Sequence, residues 1–318
     1  MIIDRKTEKI THSSFKDISN MFEPGDALVL NDTKVKPVRL IGNINAKEID
    51  ILLVERLSKN KYLVKAKPGK KLKNKVIVTF ANGKYIAIVH ELEQARQQGM
   101  KCIEFQLELD IETVLEDFGM MPLPPYIKRD VSKTDSARYQ TVYAKNPGAI
   151  ASPTAGLHFT QDIIDDLHAK KINTIYVTLH VGLGTFLPVK VDEIEQHQMH
   201  EEYYELTNKA AKEIKAVKLS KKRICAVGTT ACRVLESCAD NVNGFSISSA
   251  NSSTEIFIYP PYKFKAVDML LTNFHLPKTT LLILISAFAG KDLIMEAYRQ
   301  AVEQEYRFFS YGDAMLII

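Results

Sequence analysis

Hydrophobic and polar positions alternate in short runs between about residues 38 and 118. Turn-forming residues separate five runs that are rich in β-branched and aromatic residues: "IDILLVERL", "KYLVKAK", "KVIVTF", "KYIAIVHEL" and "KCIEFQLEL". The pair Asn82-Gly83, between the third and fourth runs, is typical of a tight hairpin turn. Several short strands at this spacing predict a small all-β unit, either a barrel or a sandwich.

After about residue 138 the pattern changes to strand-like runs that alternate with helical ones. The nearly unbroken apolar run 172–181 predicts a strand buried on both faces. Further strands are predicted over "RICAVG", "EIFIYP", "MLLTNFHL" and "AMLII". Helices are predicted from Thr160 to Lys170, from Thr207 to Leu219, and over 229–237, 280–290 and 291–306. The polar stretch 241–253 is predicted to be a mobile loop.

These two patterns predict an α/β protein with a discontinuous larger α/β domain and an inserted smaller β-barrel domain. The larger domain is expected to comprise residues 1–37 and 123–318, and the barrel residues 38–122. Three prolines in "MPLPPYI" (121–127) stiffen the chain where it leaves the barrel.

Composition narrows the class of protein only slightly. The chain has 318 residues, 46% hydrophobic and 25% charged, which is ordinary for a globular protein. Its longest apolar run, 280–290, is too short to span a bilayer, so no membrane association is expected. The cysteines lack the spacing of a zinc site or a disulfide framework, so they are expected to be buried thiols in a reducing cytoplasm.

The net charge is only +4, but lysines are concentrated in "KAKPGKKLKNK" (65–75). One interpretation is a solvated hairpin edge that lysine protects from aggregation. The other is an electrostatic contact with a phosphate backbone, in which Lys70 and Lys71 would take part.

Candidate site residues follow the predicted strands, where ligands bind in open α/β sheets. Each segment after a strand is rich in Gly, Thr, His or Asn. The candidates are Thr154, Gly156 and His158 in "ASPTAGLHFT", His180, Gly182, Gly184 and Thr185 in "HVGLGTF", Thr229, Thr230 and Arg233 in "GTTACR", and His275 in "NFHLPK". Each histidine alone is better explained as a core residue, whereas three histidines after strand ends are equally compatible with a site and with the core.

Two further segments suit a planar or cationic ligand. Aromatic residues lie beside arginine in "RYQTVYA", which contains Arg138 and Tyr139, and in "YRFFSYGDAM", which contains Arg307, Tyr311 and Asp313. Such segments stack on a nucleobase or hold a sulfonium, or they are ordinary core aromatics. His197 and His200 resemble a metal pair, but no third ligand is evident nearby, so no metal is expected.

Several of these motifs, in order along the chain, resemble the S-adenosylmethionine:tRNA ribosyltransferase-isomerase family of queuosine biosynthesis. The motifs are "NDTKVKPVRL", "MPLPPYI", "RYQTVYA", "SPTAGLHFT", "VTLHVGLGTFLPV", "HQMHEEYY", "VGTTACRVLES", "TNFHLPKTTLLILISAFAG" and "YRFFSYGDAMLII". The resemblance implies transfer and isomerisation of the ribosyl part of S-adenosylmethionine onto 7-aminomethyl-7-deazaguanine in tRNA. The products would be epoxyqueuosine-tRNA, adenine and methionine.

The resemblance also suggests roles for the candidates. His158 and His180, and after them His275, are the acid/base candidates. The cofactor-binding candidates are Thr154, Gly156, Gly182, Gly184, Thr185, Thr229, Thr230 and Arg233. The tRNA and its base would contact Arg138, Tyr139, Arg307, Tyr311, Asp313, Lys70 and Lys71. A cytoplasmic monomer is expected.

Two other classes stay open. Members of that family usually begin with a segment that precedes "MIIDRKTEKI", so a tRNA-binding protein without catalysis is one alternative. A metal-dependent hydrolase built on His197 and His200 is the other.

Overall fold

The computed structural model describes residues 1–97, 99–106, 110–124, 126–127, 129, 132, 134–182, 191 and 193–318. The chain forms two compact units, one of Met1–Lys34 with Gln140–Ile318 and one of Val35–Tyr139. The barrel predicted at 38–122 lies inside the second unit, which also contains the residues after it up to Tyr139.

Strands and short helices alternate along the chain. The strands are β1 Ile2–Asp4, β2 Lys9–Thr11, β3 Ala27–Asn31, β4 Thr33–Val35, β5 Arg39–Ile44, β6 Lys47–Arg56, β7 Lys61–Lys67, β8 Ile77–Phe80, β9 Tyr85–His90, β10 Lys101–Phe105, β11 Asn146–Ala149, β12 Asn173–Leu179, β13 Glu202–Leu206, β14 Ile224–Val227, β15 Ala239–Asp240, β16 Ser246–Ile247, β17 Ala250–Thr254, β18 Met269–Asn273 and β19 Ala314–Ile317. The α-helices are α1 Glu93–Gln97, α2 Ile111–Phe118, α3 Asp135–Arg138, α4 Gln161–Ala169, α5 Asn208–Leu219, α6 Gly228–Cys238, α7 Thr280–Ala289 and α8 Lys291–Glu303. Turns of 3-10 helix occupy Phe15–Met21, Gly69–Lys71, Ala81–Gly83, Thr154–His158 and Ile194–Gln196.

The larger unit contains a nine-stranded sheet in the order β17-β13-β12-β3-β14-β18-β19-β1-β2. Its centre, β12-β3-β14-β18, is parallel. β3 comes first in the chain, and the later strands β12 and β14 pair with its two sides. The strand order therefore reverses at β3, and such a switch point opens a crevice at the carboxyl ends of the strands.

One face of this sheet carries the main apolar core. Leu28, Leu30, Val227 and Leu271 pack there against the 3-10 turn Phe15–Met21 and against α4. The alternate residues of the same strands point to the other face, where α6 packs on the parallel strands. Residues 228–236 of α6 are all buried, so this helix begins inside the protein.

Threonine caps fix three of the helices where the sequence predicts them. The side-chain oxygens of Thr160, Thr207 and Thr279 accept hydrogen bonds from the third residue after each. α7 and α8 are separated by Gly290, whose φ of 88° few other residues adopt.

The smaller unit contains a closed six-stranded barrel in the order β10-β7-β6-β5-β8-β9. Its neighbouring strands are antiparallel, and Ile51, Val64, Phe80 and Phe105 fill the interior. The close packing leaves no room at Gly42, where a Cβ would lie 2.8 Å from Val78 and Phe80. The Asn82-Gly83 turn joins the paired strands β8 and β9, as predicted.

Three local predictions are wrong. The lysine segment 65–75 is not a hairpin, because it joins β7 to β8 and these strands are not neighbours in the barrel. The stretch 241–253 contains β16 and the edge strand β17 instead of a loop. "EIFIYP" (255–260) forms no strand, because the guanidinium of Arg233 takes the carbonyl oxygens of Thr254 and Ile256.

None of the helices in the described ranges is long and apolar enough to cross a membrane.

Candidate active site at the carboxyl edge of the sheet

The parallel strands end at one edge and bring four polar segments together there. β3 ends in Asn31–Asp32–Thr33, β12 continues into 180–182, β14 leads into the first turn of α6, and β18 ends at Asn273. Site residues are proposed from the sequence in the segments after β12, β14 and β18. Asn31–Thr33 appears there only as part of the motif "NDTKVKPVRL". The reversal of strand order at β3 marks this segment as the centre of the edge.

Asn31 fastens the end of β3 to the end of β12 and to the first turn of α6. Its amide nitrogen donates to the carbonyl oxygen of Leu179 at 3.0 Å and to Thr230 Oγ1 at 3.2 Å. Its amide oxygen accepts from the backbone nitrogens of Leu179 at 3.0 Å and Thr33 at 3.1 Å. Because each polar atom of this buried side chain is used, the edge is held in one arrangement.

Asp32 is a buried carboxylate held by neutral donors. Thr178 Oγ1 donates to Asp32 Oδ1 at 2.7 Å, and Asn146 Nδ2 lies 3.1 Å from each carboxylate oxygen. These contacts join β3 to β12 and to β11.

His180 is fixed in position by its neighbours. Its Nδ1 lies 2.7 Å from Thr33 Oγ1, and its ring stacks on Tyr203 with centroids 5.6 Å apart and planes 16° from parallel. The ring also lies over Gly148, where a Cβ would approach it to 2.6 Å. Ring stacking and a hydrogen bond to one nitrogen are what a positioned imidazole requires.

Glu202 connects the segment after His180 to helix α6. One carboxylate oxygen accepts from the Gly182 backbone nitrogen at 3.0 Å, and the other binds the guanidinium of Arg233. Both side chains are almost fully buried, with 4% and 6% exposure. A Cβ added at Gly182 would meet no atom of the described residues within 4 Å.

Arg233, a candidate for the cofactor carboxylate, is engaged inside the protein. Its guanidinium binds Glu202 and the backbone carbonyl oxygens of Thr254 and Ile256, and its expected role stays a prediction. Thr229 and Thr230 are buried in the first turn of α6, and no side chain caps that turn. Gly184 and Thr185 lie outside the described residues.

His158 lies at a second location, in a cavity of about 460 Å³ that it shares with Phe15, Arg307 and Asp313. Its ring is 5.0 Å from that of Phe15, and its Nε2 is 3.3 Å from Asn273 Nδ2. Burial lowers the pKa of His158. Arg307 and Asp313 form an ion pair at 2.7 Å, and the guanidinium holds the pKa of Asp313 below its usual range.

The third histidine, His275, is separated from His158 by the sheet. It bonds Thr272 Oγ1 at 2.8 Å, whereas His158 contacts the side chain of Asn273. Consecutive residues of a strand point to opposite faces, so the two rings belong to different faces. Burial lowers the pKa of His275 to about 4, so it is neutral near pH 7.

Some candidates have a packing explanation. At Gly156 a Cβ would lie 2.1 Å from the Tyr143 hydroxyl, so glycine is required there by a side chain of the protein and not by a ligand. Thr154 is the first residue of that 3-10 turn and is partly buried. Tyr139 is completely buried in the smaller unit, as a core aromatic is.

The remaining candidates lie on or near the surface. Arg138, at the end of α3, and Lys70 are exposed, whereas Lys71 and Tyr311 are partly buried. His197 packs its ring against Phe257 with centroids 5.3 Å apart. Within the described ranges, no three His, Cys, Asp or Glu side chains are grouped so that they could hold a metal ion.

A parallel sheet with a switch point, an inserted barrel and a positioned histidine, His180, at the carboxyl edge define an α/β enzyme of the ligand-in-crevice class. Residues 1–317 match the family model described as "Queuosine biosynthesis protein", and the chain belongs to that family.

Relatives support the same family over the full length. The chain is 49% identical to the S-adenosylmethionine:tRNA ribosyltransferase-isomerase of a Thermoanaerobacter species and 50% identical to that of Caldanaerobacter subterraneus, covering 100% of this chain and 92% of each relative. It is also similar to the crystal structure of S-adenosylmethionine tRNA ribosyltransferase from Thermotoga maritima. That match has 35% identity and a TM-score of 0.54, and covers 100% of this chain and 91% of the other. The family and the α/β-plus-barrel fold predicted from the sequence are confirmed.

Proposed function

We propose that this chain transfers and isomerises the ribosyl part of S-adenosylmethionine onto 7-aminomethyl-7-deazaguanine at the tRNA wobble position. The products are epoxyqueuosine-tRNA, adenine and methionine. The observation that carries this proposal is identity of about half of all residues with relatives named for this reaction, along the whole chain. The same observation disfavours a tRNA-binding protein without catalysis.

The reaction requires a base, because a proton must leave the ribose C5′ next to the sulfonium. We assign this step to His180. The assignment is supported by the contacts of its ring with Thr33, Tyr203 and Gly148, which fix its direction at the switch point. A histidine is suited to the step because its ordinary pKa is close to neutrality.

S-adenosylmethionine is the co-substrate, and we propose that its methionine end binds beside α6. The backbone N–H groups at Thr229 and Thr230 begin an uncapped helix, and such groups attract a carboxylate. The open space at Gly182 lets the cofactor approach the neighbouring backbone. In this arrangement the pair of Arg233 and Glu202 connects α6 to the segment at Gly182. Gly184 and Thr185 follow Gly182 in the sequence, and their contact with the cofactor stays a prediction.

The nucleobase is proposed to enter the cavity of His158. Phe15 offers an aromatic face there, and the Arg307–Asp313 pair offers a donor and an acceptor of hydrogen bonds. The roles of His275, Thr154 and Gly156 stay predictions. Tyr311 follows in the same C-terminal segment and stays a prediction.

The partner macromolecule is tRNA, and the exposed lysines of segment 65–75 are proposed to contact its phosphates. Arg138 and Tyr139 stay predictions of a tRNA contact, as do the monomeric state and the cytoplasmic location.

The test is incubation of the purified chain with S-adenosylmethionine and tRNA that carries the deazaguanine precursor. We expect free adenine and a tRNA whose mass has increased by the transferred group. Binding of this tRNA without release of adenine would instead support the non-catalytic alternative. Stoichiometric zinc in elemental analysis, with loss of activity on its removal, would support the hydrolase built on His197 and His200.

A further inference from the structure

Asn273, the last residue of β18, is a buried amide whose direction is fixed by two carbonyl groups. Its Nδ2 lies 3.1 Å from the carbonyl oxygen of Phe309 and 3.4 Å from that of Ser310. Carbonyl oxygens only accept hydrogen bonds, so the atom that faces them is the amide nitrogen and not the amide oxygen.

The opposite orientation of this amide is excluded by the same contacts. A turned side chain would bring Oδ1 against both carbonyl oxygens and lose the two hydrogen bonds to them, and only the contact with His158 could be replaced. In the present orientation Oδ1 is buried, and no hydrogen-bond partner for it lies in the described part of the chain. A buried acceptor without a partner is costly, so the orientation is determined by the nitrogen.

The same nitrogen lies 3.3 Å from Nε2 of His158. An amide nitrogen carries two hydrogens, of which one is taken by the carbonyl oxygens and the other is directed at the imidazole. The amide donates, so Nε2 accepts and carries no proton. The proton of the neutral ring is therefore on Nδ1.

We propose that Asn273 holds His158 as the neutral Nδ1–H tautomer, and that His158 serves the reaction as a hydrogen-bond donor and not as a general acid or base. The role of His158 in the reaction rests on the proposed function, but its tautomer is a property of the protein without substrates. His158 would then be a catalytic donor, and Asn273 a positioning residue.

Proton uptake by His158 is opposed by its surroundings. A second ring proton on Nε2 would point at the NH₂ group of Asn273, which has no lone pair to receive it. Burial acts in the same direction, since it lowers the pKa of His158. The charged groups that line the same cavity are Asp17, Glu305, Arg307, Asp313 and the α-amino group of Met1. Of these, Asp313 favours the charged imidazole and Arg307 and the α-amino group oppose it, and burial is the largest influence and leaves the pKa of His158 lowered.

Nδ1 is free for a ligand, because no hydrogen bond joins it to any residue that the structure describes. A fixed N–H in a cavity lined by Phe15 and Arg307 suits an acceptor on a planar ring, such as a nitrogen of a purine or deazapurine. A neutral histidine can stabilise charge that develops on such an acceptor without giving up a proton.

The first test is spectroscopic and uses the protein without substrates. Long-range ¹H–¹⁵N spectra of the histidine rings distinguish the two tautomers and the charged form. The signal of His158 among the eight histidines is identified by its loss in His158→Asn. We expect the Nδ1–H tautomer from about pH 6 to pH 8. An Nε2–H tautomer or a charged ring at neutral pH would overturn the proposal.

Asn273→Asp tests the positioning role in the same spectra. A carboxylate accepts and does not donate, so the ring proton should move to Nε2. An unchanged tautomer in the folded variant would show that Asn273 does not position the ring. Circular dichroism and a cooperative melting transition establish that the variant is folded. Should repulsion from the carbonyl oxygens unfold it, Asn273→Ala serves instead, and it should allow both tautomers.

The second test uses single-turnover release of adenine and compares three variants of His158. Asparagine places an amide nitrogen as many bonds from Cα as Nδ1, whereas glutamine places it at the distance of Nε2. We expect His158→Asn to lose about tenfold or less, and His158→Gln and His158→Ala to lose on the order of a hundredfold. Equal losses in all three would contradict a donor role. Wild-type release of adenine tests the proposed function separately, because the spectra do not depend on it.

Discussion

The carboxyl edge of the sheet and the lysine segment 65–75 of the barrel unit are both polar, but they hold their polar groups in opposite ways. At the edge, the side chains of Asn31, Asp32 and Glu202 are buried. Each forms hydrogen bonds with β12 or with the residues that follow it. In the lysine segment, Lys67, Lys70, Lys73 and Lys75 are exposed, whereas Lys71 is partly buried and donates to the carbonyl oxygen of Glu48. A buried network fixes geometry and is sensitive to single atoms, whereas exposed charges act over a distance and are screened by salt. The difference matches the two roles proposed above, chemistry at the edge and a contact with tRNA phosphates in the lysine segment.

The largest effect is expected from Glu202→Ala. The variant leaves the guanidinium of Arg233 buried without its carboxylate and removes the acceptor of the Gly182 N–H. Breaking a buried ion pair in this way costs about 3–5 kcal/mol of the free energy of unfolding, measured by urea denaturation. The exposed pair of Arg299 and Glu296 provides the control, since Glu296→Ala should leave the urea midpoint nearly unchanged. Similar losses in both variants would remove the distinction between buried and exposed pairs.

Two glycines test whether the edge is shaped by the protein or by a ligand. Gly156→Ala places a methyl group against the Tyr143 hydroxyl, so it should lower the free energy of unfolding by about 2 kcal/mol. The methyl group of Gly182→Ala meets no described atom within 4 Å, so the stability of this variant should remain that of the wild type. If S-adenosylmethionine approaches this backbone, Gly182→Ala should nevertheless bind it more weakly in calorimetry. Unchanged affinity would show that the cofactor does not approach Gly182.

Asp26 is a buried carboxylate at the opposite edge of the sheet, directly before β3. Burial acts to raise the pKa of Asp26, but hydrogen bonds from Arg223 and from backbone N–H groups outweigh it and hold this pKa below the usual value. A carboxyl group whose pKa is lower in the folded than in the unfolded protein adds to the free energy of unfolding. The full contribution is present above the pKa of the unfolded state and is lost as the pH falls through the pKa of the folded state. Asp26→Asn should therefore cost about 1.5 kcal/mol at pH 7 and much less in acid. A cost that stays constant between neutral and acidic pH would contradict the ionic origin.

The smallest structural effect and the strongest salt effect are expected in the lysine segment. Lys70→Glu with Lys71→Glu should leave the melting temperature unchanged, weaken tRNA binding, and flatten the dependence of log affinity on log salt by roughly one unit for each lost phosphate contact. Lys212→Glu with Lys215→Glu, on the exposed side of α5, is the matched control for the same charge reversal elsewhere. Equal weakening by the control would assign the effect to net charge and not to this segment.

The sequence predicts much of this fold because its signals are local. Thr160 and Thr207 begin their helices where the capping pattern indicates, and Asn82-Gly83 makes the turn between β8 and β9. The strand predicted at 255–260 is absent where a distant side chain, Arg233, binds the carbonyl oxygen of Ile256 and that of Thr254, the last residue of β17. Long-range contacts of this kind leave no periodic signal in the sequence.

The candidate site shows the same limit. Histidines after strand ends could be found from the sequence, but their separation by the sheet depends on which face each strand residue occupies. Asn31, Glu202 and Asn273 were missed as individual residues, because an amide or a carboxylate acquires its role only from the partners that the fold brings to it. The requirement for glycine at 156 likewise depends on Tyr143, thirteen positions earlier in the chain.

His180, at the carboxyl edge of the sheet, is the residue to which we assign the proton transfer of the ribosyl reaction. Single-turnover release of adenine by wild type and by folded His180→Ala, at saturating S-adenosylmethionine and tRNA, tests this assignment most directly. We expect wild type to release adenine in proportion to the modified tRNA. We expect His180→Ala to release it more slowly, on the order of a thousandfold, with its affinity for S-adenosylmethionine little changed. A variant that releases adenine at the wild-type rate would contradict the assignment.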